Sequence, residues 1–265
     1  MSALNKAREK SSSSSAQPTA RAGARAVLAA VALVTVAVPF ALTLLLVAIR
    51  WAPLRSADQG ARDSLHRYAV SHAGFVTAMQ LISDSGSALA WLVVLAVVVV
   101  TFFWRGLPRL ALFVMVTAVG SSLLNTLVKA AVHRPRPELI NPVAHEFGLS
   151  FPSGHAQAAM VGYAILLFVF LPILRGWWRR TAVMFAVFMV LAIGFSRIAL
   201  GVHYLSDVVG GVVLGAAWVA AMAAAFNVTR VDHGHRSEVK GAPEPQQESR
   251  LGGQHSGGEG IDSPE

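Results

Sequence analysis

Residues 181–226 read TAVMFAVFMVLAIGFSRIALGVHYLSDVVGGVVLGAAWVAAMAAAF, two long apolar runs parted by a short turn at Gly201 to His203. The stretch holds only two formally charged residues, Arg197 and Asp207. A block of about 18 or more largely uncharged residues can cross the roughly 30 Å hydrocarbon core of a bilayer as a helix. The runs at 181–200 and 204–226 both meet that length, so this segment predicts two membrane helices joined by a tight turn.

Four further apolar blocks lie upstream, at about 26–48, 87–103, 107–131 and 154–173. Of the 265 residues, 54% are hydrophobic and 14% charged, against roughly 25% charged in an ordinary soluble domain. That apolar excess calls for a bilayer as solvent. The expected fold is all-α, a six-transmembrane-helix bundle over residues 25–230. The first block follows basic residues as a signal peptide would, but it exceeds 20 residues where a signal h-region has about 7–15, so a retained helix is expected. Residues 1–24, with the run Ser11 to Ser15 among Lys and Arg, and residues 231–265, rich in Gly, Glu, Ser and Gln, have too little apolar content to fold alone. Both are expected to be disordered tails.

The net charge of +8 is spread over the gaps between apolar blocks. No basic patch interleaved with aromatics appears, so nucleic acid is not an expected partner. With no cysteine in the chain, disulfides, a thiol nucleophile and a Cys-based metal site are excluded. Cations of the N-terminal tail, Arg105 and Arg109, and Arg175, Arg179 and Arg180 fall on one side of the bundle. The positive-inside rule makes that side cytoplasmic, with both termini on it. The opposite, extracytoplasmic side then carries a loop at about 50–86, a loop at about 132–153 and the turn at Gly201 to His203. The sequon Asn227-Val228-Thr229 falls on the cytoplasmic side and is read as chance.

Three polar clusters reach that outward side. His203 and Asp207 stand four residues apart and share one helix face. A carboxylate on one ring nitrogen fixes the imidazole tautomer and leaves the other nitrogen's lone pair free to attack. Pro152-Ser153-Gly154-His155 opens the fourth helix. There Ser153 suits an N-cap, Gly154 admits a close ligand, free N–H groups face an anion, and His155 can protonate a leaving oxygen. Lys129, Arg136 and Arg197 lie at helix ends, where one alone would be an interfacial anchor. Three beside two histidines suit the oxygens of a phosphoryl group in transfer.

Lys129-x6-Arg136-Pro137, Pro152-Ser153-Gly154-His155 and Ser196-Arg197-x5-His203-x3-Asp207 together resemble, in residue type, spacing and order, the three-part signature of the type-2 phosphatidic acid phosphatase superfamily. The resemblance covers roughly residues 80–226. It implies a membrane enzyme in which His203 forms a phosphohistidine, Asp207 orients it and His155 is the general acid. Lys129, Arg136, Arg197, Ser153 and Gly154 would cradle the phosphate. It implies no metal and no cofactor. His133 and Arg134 fall outside the shared pattern and are expected at the interface, Arg134 also as a second contact for a diphosphate.

The expected substrate is a phosphate mono- or diphosphate ester of a lipid, polyprenyl diphosphate first, with phosphatidylglycerophosphate, phosphatidic acid and polyprenyl-phosphate-sugar phosphates as alternatives. A phosphotransferase passing the group to another alcohol is the chemically nearest rival. A non-catalytic transporter or binder of phosphate lipids is the rival of another class.

Overall fold

The computed structural model describes residues 31 and 34–226. The expected tails, the sequon and the start of the first apolar block lie outside the described residues. The chain divides into two units, Met1–Val228 and Thr229–Glu265, and the second lies wholly outside the described residues.

Every regular element among the described residues is helical. α1 (Val34–Ala48) is followed by α2 (Ala52–Val70), bent 89° from it. Then come α3 (Ala73–Ser85), α4 (Ala88–Trp104), α5 (Pro108–Val132), α6 (Gly154–Phe170), α7 (Trp177–Ala199) and α8 (Leu205–Ala225). Four segments are long and apolar enough to cross a membrane: Ala73–Trp104, α5, α7 and α8; a fifth is added if the bent α1–α2 pair is one span. α6 has 17 residues, about 26 Å at 1.5 Å per residue. The all-helical membrane class expected from the sequence therefore holds, while the count of six spans does not emerge as such.

One expectation is corrected. Residues 50–86, read as a loop, form α2 and α3. α2 is polar overall, yet Leu54, Asp58, Ala61, Leu65 and Ala69, all partly or fully buried, recur every three to four residues. That stripe packs on the bundle: Ala61 and Leu65 meet a core of Ala156, Ile198 and Val208. α3 is apolar but too short to span by itself, and it abuts α4 across Gly86 and Ser87. Ser87 caps α4, its hydroxyl accepting the Ala90 N–H at 3.2 Å.

α6 is the central helix. It packs against α4, α5, α7 and α8, and Ala156, Gln157, Ala159, Val161, Gly162 and Ile165 are all buried. Lipid tails are as apolar as Leu, so helices in a bilayer gain by close backbone approach and interhelical hydrogen bonds more than by leaving solvent. Both devices are present. A Cβ at Gly211 of α8 would stand 2.5 Å from the Ser153 carbonyl oxygen, and one at Gly215 would stand 3.1 Å from that of Gln157. Glycines one turn apart thus let α8 lie directly on the backbone of α6. Across the other side, buried Gln157 accepts from Asn125 Nδ2 at 2.7 Å and donates to Ser121 Oγ at 2.8 Å and to the Ser121 carbonyl at 2.9 Å. That satisfied network fixes the register of α6 against α5.

Candidate active site

The register has a direct consequence at one end of the bundle. It brings together the C-terminal end of α5, the start of α6, the end of α7 and the start of α8, which carry Lys129, Ser153 to His155, Arg197, and His203 with Asp207.

Asp207 is fully buried at the third position of α8. Its Oδ2 accepts the Tyr204 N–H at 2.8 Å, closing a capping box, and also the Ser150 hydroxyl. Oδ1 accepts from Arg134 Nη1 at 2.7 Å. His203 Nδ1 lies 3.5 Å from Oδ2, and Arg136 Nη1 approaches His203 Nε2 at 3.2 Å. A guanidinium N–H can donate only to an unprotonated ring nitrogen, while a carboxylate can only accept. Both contacts therefore assign the tautomer with hydrogen on Nδ1 and the lone pair on Nε2. His203 is 1% exposed. Burial pushes its pKa down to about 4; the Asp207 bond and charge oppose this, and Arg136 and Arg197 reinforce it.

Arg136 also donates to the carbonyls of Val202 at 2.9 Å and Gly148 at 3.2 Å. Burial holds its pKa below the ordinary arginine value, and the neighbouring Arg197 pulls in the same direction while Glu146 and Asp207 oppose it. Lys129 Nζ donates to the Leu149 carbonyl at 3.0 Å, with two further hydrogens to offer. Ser153 caps α6, its hydroxyl accepting the Ala156 N–H at 3.5 Å. A Cβ at Gly154 would meet only Asn125 Oδ1, at 3.7 Å, so protein packing does not demand glycine there. His155 is half-buried in the first turn of α6, and the groups acting on it electrostatically are Arg197, Glu146, His203 and Arg136. The structure thus gathers every residue singled out from the sequence at one bundle end.

It also adds residues that sequence reasoning missed. Arg197, 3% exposed, donates through Nη1 to Ser83 of α3 and through Nη2 to Glu146 Oε1 at 2.6 Å. Glu146 Oε2 lies 3.6 Å from Arg136 Nη2. Burial alone would push the Glu146 carboxyl up, but the charge and hydrogen bond of Arg197, with His155 and Arg136, hold it below the usual carboxylate value. Asp58 of α2, 1% exposed, accepts from the Ser206 N–H and hydroxyl and from Arg134 Nη2, at 2.8, 2.6 and 2.8 Å. Arg134 was expected as an interfacial residue or a second diphosphate contact. Instead its guanidinium is committed to Asp58, Ser206 and Asp207, and stands 4.3 Å from the Tyr204 ring centroid. The helical stripe of α2 could have flagged Asp58, a lone acid on an otherwise apolar face. Nothing local marks Ser83 or Glu146.

A cavity of ≈ 730 Å³ opens between α1, α2 and the end of α5, with walls such as Leu44, Val47, Leu54 and Val128 and a floor of Asp58 and Arg134. His133 lines it, whereas His155 and His203 do not. Among the described residues no three His, Asp or Glu side chains cluster in a way that would hold a metal ion.

Residues 109–230 match the PAP2 superfamily. Over 116 residues the chain is 37% identical to phosphatidylglycerophosphatase B of Bacillus subtilis, covering 42% of this chain and 53% of that protein. It is 30% identical over 125 residues to lipid A 1-phosphatase of Rhizobium johnstonii, covering 42% and 46%. It is 35% identical over 116 residues to decaprenylphosphoryl-5-phosphoribose phosphatase of Mycobacterium tuberculosis, covering 42% and 59%. The matched stretches thus span about half the length of these curated relatives. The crystal structure of a transmembrane PAP2 type phosphatidylglycerolphosphate phosphatase from Bacillus subtilis superposes with a TM-score of 0.64 at 26% identity, covering 76% of this chain and 95% of that one.

Proposed function

We propose, from the premise that residues 109–230 are a PAP2 superfamily domain, that this multi-pass membrane protein is a lipid phosphatase acting through a phosphohistidine on His203. The observation that carries this is the two-sided hold on the imidazole. Asp207 faces Nδ1, and Arg136 faces Nε2 at 3.2 Å. An oxyanion binding Arg136 would bring phosphorus next to the lone pair. His203 Nε2 then attacks phosphorus in line and the ester P–O bond breaks. Lys129, Arg136 and Arg197 stabilise the charge on the equatorial oxygens, helped by Ser153 and the N–H groups at Gly154, and His155 protonates the departing alcohol oxygen. Water, deprotonated by His155, then attacks the phosphohistidine, releasing inorganic phosphate and restoring both histidines. No step uses a metal.

The substrate we favour is a phosphate monoester of a lipid. Arg134, the cation that would have met a second phosphate, is engaged by Asp58 and Asp207, which weakens the case for polyprenyl diphosphate. The names of the relatives put phosphatidylglycerophosphate first. The catalytic unit takes in α2 and α3, which precede the matched segment yet hold Asp58 and Ser83. Arg105 and Arg109, like Arg179 and Arg180, lie at the helix ends opposite the site, which supports, by the positive-inside rule, a site on the extracytoplasmic side.

The test is phosphate release by purified protein from phosphatidylglycerophosphate, phosphatidic acid, polyprenyl diphosphate and a polyprenyl-phosphate-sugar phosphate, with and without chelator. Turnover is expected on a monoester, undiminished by chelator and abolished by His203→Ala in a protein that still folds in detergent. Full activity of that variant sinks the assignment. Transfer to an added alcohol in place of water would identify a phosphotransferase, and binding without release a transporter or binder.

A further inference from the structure

Arg197 and Arg136 share one carboxylate. Glu146 Oε1 sits 2.6 Å from Arg197 Nη2, and Oε2 sits 3.6 Å from Arg136 Nη2. The residue belongs to the segment between α5 and α6, not to any helix, and about a third of its side chain is exposed. It is the only acid within hydrogen-bonding reach of either guanidinium among the described residues. Arg197 is nearly fully buried, yet its Nε–H has no hydrogen-bond partner among them. Nε and Nη2 form one edge of the guanidinium, the edge that takes two oxygens of a bidentate anion. Glu146 uses Nη2 and leaves Nε idle.

A buried donor without a partner is unfavourable, and a site that leaves one idle fits some other ligand better. A tetrahedral phosphate does fit. Two of its oxygens can take Nε and Nη2 of Arg197 while a third reaches Arg136, whose contact with Glu146 is already long. Two anions cannot share that edge. The displaced carboxylate has a route out, since it is partly exposed and hangs on a segment with no helix to hold it.

We infer that Glu146 is an internal competitor for the phosphate site, displaced from Arg197 and Arg136 when the phosphoryl group binds and returning to drive out inorganic phosphate. This rests on reading Lys129, Arg136 and Arg197 as the phosphate cradle. Glu146 in that case sets phosphate affinity without touching the reacting atoms. It keeps the cradle closed to weakly held anions and prevents the product from occupying the site.

Equilibrium binding of inorganic phosphate to the full chain in detergent, wild type against Glu146→Gln, tests this without requiring turnover. Gln keeps the volume and removes the charge. With the competing charge-assisted contact weakened at this partly exposed position, about tenfold tighter phosphate binding is expected, which is about 1.4 kcal/mol. Product inhibition should deepen by the same factor. Unchanged or weaker binding overturns the inference, because it would mean that Glu146 merely positions Arg197. A second measurement leaves Glu146 in place. Phe147 is 94% exposed and the chain has no cysteine, so Phe147→Cys accepts a single fluorophore. Phosphate should change its emission, and a silent label at saturating phosphate overturns the displacement. Tighter binding by Glu146→Gln with no hydrolysis of any lipid phosphate would keep this inference and sink the phosphatase reading. Absence of phosphate binding by either protein removes both the cradle and the competitor.

Discussion

Asp58 and Arg134 form a buried ion pair, 2.8 Å long, between α2 and the segment that follows α5. The other side of the same guanidinium holds Asp207, and Asp58 also takes both donors of Ser206. Asp207, the carboxylate beside His203, is thus itself held from a helix outside the matched superfamily segment. Asp58→Asn leaves Arg134 paired with Asp207 but takes the charge from an acceptor of three donors, and a hydrogen bond to a charged group contributes about 1.5–3 kcal/mol. Asp58→Asn is expected to lower the melting temperature in detergent and to lower kcat more than it raises KM. Unchanged kcat in a folded variant would show that the pair serves stability alone.

In the proposed mechanism His203 must be neutral to attack. Its pKa lies below the ordinary histidine value, at about 4, chiefly through burial, so the neutral imidazole persists from neutral pH down to that region and is lost only as pH falls through it. The acid limb of kcat/KM, which reports free-enzyme ionisations, is therefore expected near pH 4. A limb near pH 6.5 would contradict the buried, Arg136-facing placement.

The role proposed for His155 depends on the leaving group. Loss of a general acid reduces rate by about 10²–10⁴ where the departing oxygen needs a proton. His155→Ala should show a loss of that size on a lipid alkyl phosphate and a much smaller one on p-nitrophenyl phosphate, whose phenolate leaves unaided. Equal losses on both would remove it from that role.

Gly211 tests the packing that places Ser153 to His155. A Cβ there meets backbone, the Ser153 carbonyl oxygen at 2.5 Å, which cannot turn aside as a side chain could. Overpacking of this kind costs about 1–3 kcal/mol. Gly211→Ala should lower both melting temperature and kcat. Gly74→Ala, where a Cβ meets nothing within 4 Å, serves as the control and should leave activity unchanged. If the two behave alike, the close α6–α8 contact is not limiting.

Much of this protein was legible in the sequence, for identifiable reasons. The membrane helices follow from composition and run length, because a bilayer forces every spanning backbone group to bond within its own segment and selects long apolar helices. Lys129, Arg136, Ser153, His155, Arg197, His203 and Asp207 stand out because each breaks an apolar background at a helix end, where charge is costly unless used. α2 was missed because its polar residues resemble those of a loop, and only its three-to-four spacing betrays a packed face.

What no local pattern could supply is the partnering across the fold. Asp58 meets Arg134 and Ser206 over 76 and 148 positions of chain, and Arg197 meets Ser83 over 114. Arg134 passes from interfacial cation to the joint between two buried acids only when α2 folds over the bundle end. Glu146 becomes an occupant of the proposed phosphate cradle only when its segment returns across α7. An ionisable residue's role is set by what neutralises it once water is excluded. The sequence alone determines which residues must be neutralised, and the tertiary structure decides by which partner.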